Sequence, residues 1–117
     1  MTSPTHSNMM HGGAERLPIR WVNAATPPTV ISRYRVAPGQ SVSLHVHTGK
    51  AENWVIVSGS GTVRVGDASF NVGEGDIVVT PPTVPHGLTN HSDMPLVFLN
   101  IVQPTGDAPI TSVELGV

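Results

Sequence analysis

Turn-forming clusters recur along most of the chain and divide it into short apolar segments. The 117 residues include 12 glycines and 11 prolines, many of them in clusters at 38–39, 48–49, 58–61, 65–67, 73–76, 81–82 and 85–87. Such clusters mark turns because glycine adopts positive φ angles and proline presets its own φ. No window carries the apolar spacing of an amphipathic helix over two turns. The chain is therefore predicted to contain strands rather than helices.

The segments between these clusters are rich in Val, Ile, Thr and Ser, which favour strands. They span 30–36, 41–47, 54–58, 62–65, 68–72, 77–80, 87–89 and 96–102. Short strands at this regular spacing are typical of an all-β sandwich or barrel. After Pro104 the tail is less patterned, and it either adds a strand or packs on a neighbouring subunit.

Length and composition predict one β-barrel domain over residues 17–117, preceded by a flexible, polar N-terminal arm over residues 1–16. Hydrophobic residues make up 38% of the chain, which is enough for a core. No apolar run approaches the ~18 residues of a membrane-spanning helix, so we expect no membrane association. No secretory signal is visible at the N-terminus, and a cytoplasmic location is expected by default.

The charges of the chain argue against nucleic-acid binding. Lys and Arg total six and are scattered, and the formal net charge is -2. Charged residues make up 12% of the chain, against about 25% in an average domain. A surface with so few charges favours coverage by a second copy, so we predict a homodimer. The chain has no cysteine, so a metal would have to be held by nitrogen and oxygen ligands.

The segment from Gly39 to Glu52 contains a candidate metal site. Alternate residues of a strand share a face, so His45 and His47 point the same way, roughly 6.6 Å apart along the strand. Glu52, just after the turn at Thr48-Gly49, can reach the same point. Two histidines at this spacing are by themselves equally consistent with exposed strand residues. The nearby carboxylate favours a metal site.

A third histidine, His86, follows the rigid bend made by Pro81, Pro82 and Pro85. Taken alone, it could end a loop by chance. Together, His45, His47, Glu52 and His86 are predicted to hold one divalent transition metal. Three imidazoles and one carboxylate suit Fe, Mn, Ni, Co, Cu or Zn, and suit Mg or Ca poorly.

These residues resemble the two motifs of the cupin superfamily. Gly39, His45, His47, Glu52 and Gly59 stand at every spacing of the first motif. In the second motif Gly75, Pro81, His86 and Asn90 are in register, and Thr83 replaces a glycine, which leaves the loop geometry to be tested. The run from Ser43 to Gly59 is also similar to the cupin domain of bifunctional mannose-6-phosphate isomerases.

The resemblance implies a single double-stranded β-helix (cupin or jelly-roll) barrel with the metal inside. It also implies an enzyme that acts on a small oxygenated substrate, by dioxygenase-type cleavage or by sugar isomerase, epimerase or lyase chemistry. Glu52 could leave the metal and act as a catalytic base. The alternative is a non-catalytic, metal-organised module that binds or senses a small molecule such as a sugar.

Strand parity with the ligands predicts the residues of a substrate pocket. The predicted pocket residues are Ser43, Trp54, Ile56, Leu88, Asn90, Phe98 and Asn100. Two points stay open. On one strand either Tyr34 or its neighbours Arg33 and Arg35 face the pocket, and inward arginines would favour an anionic substrate. On the late strand either 98, 100 and 102 or 97, 99 and 101 point inward.

Overall fold

The computed structural model describes residues 9–10 and 12–116, whose strands form two antiparallel sheets around a shared core. The strands are β1 (Met9–Met10), β2 (Ala14–Leu17), β3 (Ile31–Val36), β4 (Ser41–Thr48), β5 (Lys50–Ser58), β6 (Ser60–Val65), β7 (Ala68–Gly73), β8 (Ile77–Thr80), β9 (His86–Thr89), β10 (Leu96–Pro104) and β11 (Thr111–Gly116). This part of the chain contains no helix, and hence none that could cross a membrane.

The two sheets have the strand orders β1-β2-β3-β10-β5-β8 and β11-β4-β9-β6-β7. Consecutive strands β4 and β5 lie in different sheets, so the turn at Gly49 carries the chain across the barrel. Gly49 has φ +76°, and a Cβ there would collide with the backbone of Ala108 and Pro109. A glycine is therefore required at the point that separates the histidines of β4 from Glu52 of β5.

The core is built by alternate residues of strands whose other face is more exposed. In β5 the inward residues Glu52, Trp54 and Ile56 are buried, and their neighbours are more exposed. Aromatic rings form one cluster within this core, since Trp54 lies 5.0 Å from Phe98 and Phe98 lies 5.4 Å from Tyr34, centroid to centroid. The period-two pattern of the sequence thus places one apolar face inward.

The all-β, double-stranded β-helix prediction is confirmed, and the predicted segments match the strands with small shifts. The main shift is in β5, which begins at Lys50 rather than at residue 54. The tail contributes a strand, β11, which pairs with β4.

Part of the predicted arm over 1–16 forms strands in the structure. Strand β2 pairs with β3, and β1 pairs with β2. Ala14 is buried at the core, so this segment gains packing that its polar composition did not indicate. Residues 1–8 and 11, the rest of the predicted arm, lie outside the described residues, and the domain boundary at residue 17 stays a prediction.

A β-bulge interrupts the pairing of β4 with β9 between Val42 and His45. A bulge inserts one extra residue and so exchanges the two faces of a strand. Val42, His45 and His47 are consequently the buried residues of β4, and Ser43 is not.

Candidate metal centre

Backbone carbonyls fix the rings of His45 and His86 in the same way. His45 Nδ1 lies 2.9 Å from the carbonyl oxygen of Ser43, and His86 Nδ1 lies 2.9 Å from that of Val84. A carbonyl only accepts hydrogen bonds, so each Nδ1 must carry the proton. Each Nε2 is then left with the lone pair that a metal ion requires.

His45, Glu52 and His86 converge from three strands in the barrel interior. One possible ligand atom from each residue lies within 4.8 Å of the other two, and all three residues are buried. Ligand atoms bound to one ion at 2.0–2.2 Å lie no more than about 4.4 Å apart. A small inward movement of these side chains would therefore complete the coordination distances.

A buried nitrogen of His86 strengthens this assignment. His86 is 0% exposed, and its Nε2 has no hydrogen-bond partner among the described residues. The nearest carboxylate oxygen, Glu52 Oε1, lies 4.0 Å away. An unsatisfied buried nitrogen costs free energy, and a metal ion between it and Glu52 would remove that cost. The residues present thus fit a nitrogen- and oxygen-bound divalent ion.

His47, the fourth predicted ligand, lies beside this group. Its Nε2 is 3.6 Å from Glu52 Oε1 and 3.3 Å from Thr80 Oγ1, and its ring centroid is 4.6 Å from that of His86. The group of three whose ligand atoms converge does not include it. Coordination by His47 therefore stays a prediction, although the structure brings it to the site.

Glu52 is held as an anion by its neighbours. Lys50 Nζ lies 2.9 Å from Glu52 Oε2, and Trp54 Nε1 donates to Oε1 at 3.2 Å. Burial by itself raises the pKa of this carboxyl group, but hydrogen bonds with His47, Lys50 and Asn100, together with the charge of Lys50, hold it well below its ordinary value. A carboxylate of such low pKa is a good ligand and a weak base, so these contacts support the ligand role more directly than the predicted catalytic role.

Burial also keeps His86 neutral. It lowers the pKa of the imidazole to about 4, with a further lowering by His45 and His47. A neutral imidazole is the form that binds a metal. At neutral pH no proton therefore competes with an ion for His86.

A cavity of about 130 Å³ opens beside the metal centre. His45 and Glu52 belong to its wall, together with three of the predicted pocket residues, Trp54, Phe98 and Asn100. The inward set on β10 is therefore 98, 100 and 102. On β3 it is Tyr34 that faces the cavity. Arg35 lies on an exposed face, where its Nε donates a hydrogen bond to Glu15 at 3.1 Å.

Four other predicted pocket residues do not line this cavity. Ile56 and Leu88 face inward as expected but are part of the packed core. The Asn90 amide is used by its own turn and by β3, since Nδ2 donates to the carbonyls of Met94 and Val36 and Oδ1 accepts from Ser92. Ser43 lies on the opposite face because of the bulge in β4, and its hydroxyl donates to Glu114.

The cavity also has lining residues that sequence reasoning missed. Lys50 shares the face of Glu52, and strand parity could have found it if β5 had been extended to its true start. Val42 takes the place predicted for Ser43. Arg16 lies within the predicted arm, and no local signal indicated that it would reach the site.

Thr83, which replaces the motif glycine, adopts a left-handed backbone conformation that favours glycine. Its φ is +67°, the one positive value among the described non-glycine residues, and its backbone N–H donates to the carbonyl of His47 at 2.7 Å. The loop that delivers His86 therefore keeps a glycine-like turn despite the substitution.

Known proteins resemble this chain in both sequence and structure. A mannose-1-phosphate guanylyltransferase from Klebsiella pneumoniae is 36% identical over 76 residues, which are 65% of this chain but only 16% of that protein. A solved protein from Klebsiella pneumoniae with a double-stranded beta-helix domain is 31% identical, covers 83% of this chain and 84% of its own, and has a TM-score of 0.65. Oxalate decarboxylase from Bacillus subtilis is 30% identical, covers 73% of this chain and 23% of its own, with a TM-score of 0.63.

The family model Cupin_2, described as a cupin domain, matches residues 32–102. That range contains most of the barrel and all four predicted metal ligands, and it is more than half of the chain. The chain therefore belongs to the cupin family.

Proposed function

We propose that this protein is a metal-dependent cupin enzyme that acts on a small oxygenated organic substrate. The observation that carries the proposal is the convergence of His45, Glu52 and His86, of which the first two line a cavity. His86 Nε2 is buried and lacks a hydrogen-bond partner in the described chain. A divalent transition ion held there would supply Lewis-acid polarisation of a substrate oxygen or, with iron or copper, chemistry with O2.

The protein side chains would orient the ligands and exclude water. The carbonyls of Ser43 and Val84 direct the Nε2 atoms of His45 and His86 inward. Lys50 holds one oxygen of Glu52 and leaves the other facing the histidines. Rings of Trp54 and Phe98 line the cavity, and such an apolar wall strengthens electrostatic interactions within it.

The reaction branch is proposed from the size of the cavity. A cavity of about 130 Å³ is comparable to the roughly 150 Å³ of a protein cavity that binds one benzene molecule. This supports a substrate of a few carbon atoms, as in the similar oxalate decarboxylase, over a sugar nucleotide. Carbon–carbon cleavage or lyase chemistry on such a molecule is favoured here over sugar isomerisation, while both stay within the proposed class.

The second candidate is a non-catalytic module that binds or senses a small molecule through its metal. The low pKa of Glu52 favours it, because the one carboxylate among the described residues lining the cavity is a weak base. The predicted homodimer and cytoplasmic location apply equally to both candidates and stay predictions.

Metal content and turnover test the proposal together. Purified protein is expected to carry one transition-metal ion per chain by mass spectrometry, and His86→Ala to lose it. His91→Ala is the matched control, because His91 is an exposed histidine five positions along the chain. Oxygen uptake or product formation with small organic acids separates the enzyme from the binding module. Equal metal content in His86→Ala and His91→Ala would refute the proposed centre.

A further inference from the structure

We infer that the cavity takes a short hydroxycarboxylate, with Arg16 binding the carboxylate and Asn100 accepting a hydrogen bond from the hydroxyl. The inference rests on the proposed function, whose substrate class it specifies. Three observations support it: the positive charge of the cavity wall, the buried Asn100 Oδ1 that has no hydrogen-bond partner among the described residues, and the volume of the cavity.

The wall of the cavity carries a positive charge within a chain of net charge -2. Its charged residues, among those described, are Arg16, Lys50 and Glu52, which leave a net charge of +1. Lys50 and Glu52 neutralise each other at 2.9 Å. Arg16 is therefore the cation available to a ligand, and a bound divalent ion would add to the positive charge. Such a wall attracts an anion.

Arg16 is placed to receive a carboxylate. Its Nη2 donates to the neutral hydroxyl of Ser32 at 3.2 Å, and no ion pair with an acid is found for it in the described chain. Arg35 differs, since it is paired with Glu15 on an exposed face. A guanidinium has five donors in a planar fork that matches a carboxylate. Arg16 retains donors for such a contact.

Asn100 supplies the hydroxyl-binding group. The amide oxygen, Oδ1, is buried and has no partner among the residues described. An unsatisfied oxygen in a cavity wall favours a ligand that donates a hydrogen bond. A substrate hydroxyl is such a donor, whereas a second carboxylate is not.

The Arg16 guanidinium and the Asn100 amide are close enough together to bind the carboxylate and the hydroxyl of one short molecule. Asn100 is the register partner of Ser32 on the neighbouring strand, and Ser32 holds Arg16. The Cβ atoms of such partners lie about 5 Å apart. Ala14, Val42 and Phe98 provide apolar wall around this path. A three-carbon hydroxy acid fits this distance and the cavity volume, and the same acid would lie beside the metal ligands.

Calorimetric titration with lactate, propionate and 1,2-propanediol tests the inference, because the last two lack the hydroxyl and the carboxylate respectively. Titrations are made with Zn²⁺-loaded and metal-free protein. Lactate is expected to bind about fivefold more tightly than propionate and at least about tenfold more tightly than the diol. Arg16→Gln should weaken lactate binding about tenfold, and Arg16→Glu should weaken it further. Arg20→Gln is the control, because Arg20 is exposed, as Arg16 is, but lies outside the cavity wall.

Failure of the inference can be told from failure of the proposed function. If both Arg16→Gln and Arg20→Gln retained the metal and bound lactate with equal affinity, the inference would be overturned, whereas the proposed metal centre would still stand. Equal affinity for lactate and propionate would overturn the role of Asn100. Absence of metal binding, with lactate affinity still dependent on Arg16, would refute the metal enzyme and support the anion site.

Discussion

Replacement of Thr83 by glycine is expected to stabilise the protein. Thr83 has φ +67° in the turn before His86, and its side chain is exposed. A non-glycine residue in this left-handed region costs about 1–2 kcal/mol, and threonine is β-branched. Glycine removes that cost but loses about 0.5–1 kcal/mol of additional backbone entropy on folding. The net gain in the free energy of unfolding should be about 0.5–1 kcal/mol, by difference of these two effects.

Thermal and urea unfolding measure this gain directly. For a chain of 117 residues, a gain of this size raises Tm by about 2–4 °C. Thr83→Ala is the matched variant, because it removes the hydroxyl and methyl groups but keeps the Cβ that causes the strain. It should raise Tm by less than Thr83→Gly does, because it relieves only the branching at Cβ.

Thr26→Gly provides the opposite control. Thr26 is exposed and has no positive φ, so glycine there brings only the entropic loss and should lower the stability. If Thr83→Gly were no more stable than Thr83→Ala, the argument from backbone strain would be refuted.

Three further predictions concern the site and the assembly. His47→Ala is expected to strip the metal with little loss of fold, since the core is apolar; one tightly bound ion per chain in the purified variant would show that His47 is not a required ligand. Because the pKa of His86 is lowered to about 4 in the folded protein, the unfolded chain binds the extra proton first as the pH falls. In metal-free protein, the free energy of unfolding should therefore be highest above about pH 6.5 and should fall by about 2–3 kcal/mol between there and pH 4. Urea unfolding at a series of pH values measures this change, and a constant free energy of unfolding over that range would contradict the prediction. Sedimentation at micromolar concentration should find a homodimer, and a monomer alone would refute that prediction.

Local sequence patterns anticipated much of the barrel and of the metal centre. Alternation along β5 correctly placed Trp54 on the inward face of Glu52, whereas along β10 it left two alternative inward sets. Alternation depends only on the strand itself, because successive side chains of any strand point to opposite faces. Turn clusters likewise follow from the conformational preferences of glycine and proline. These features could be read without knowledge of the pairing partners.

Tertiary structure decided the features that depend on strands distant in the sequence. The bulge between Val42 and His45 arises from pairing with β9, and it moved Ser43 to the outer face. Arg16 reaches the cavity because β2 pairs with β3, although its own segment is polar.

The amino-acid sequence by itself thus determined which side chains could bind a metal and which strands could carry them. Only the folded barrel determined which residues line the cavity, and only the folded barrel placed β4 and β5 in different sheets. The physical reason is that side-chain alternation is a local property, whereas strand pairing and its irregularities are set by contacts between distant segments.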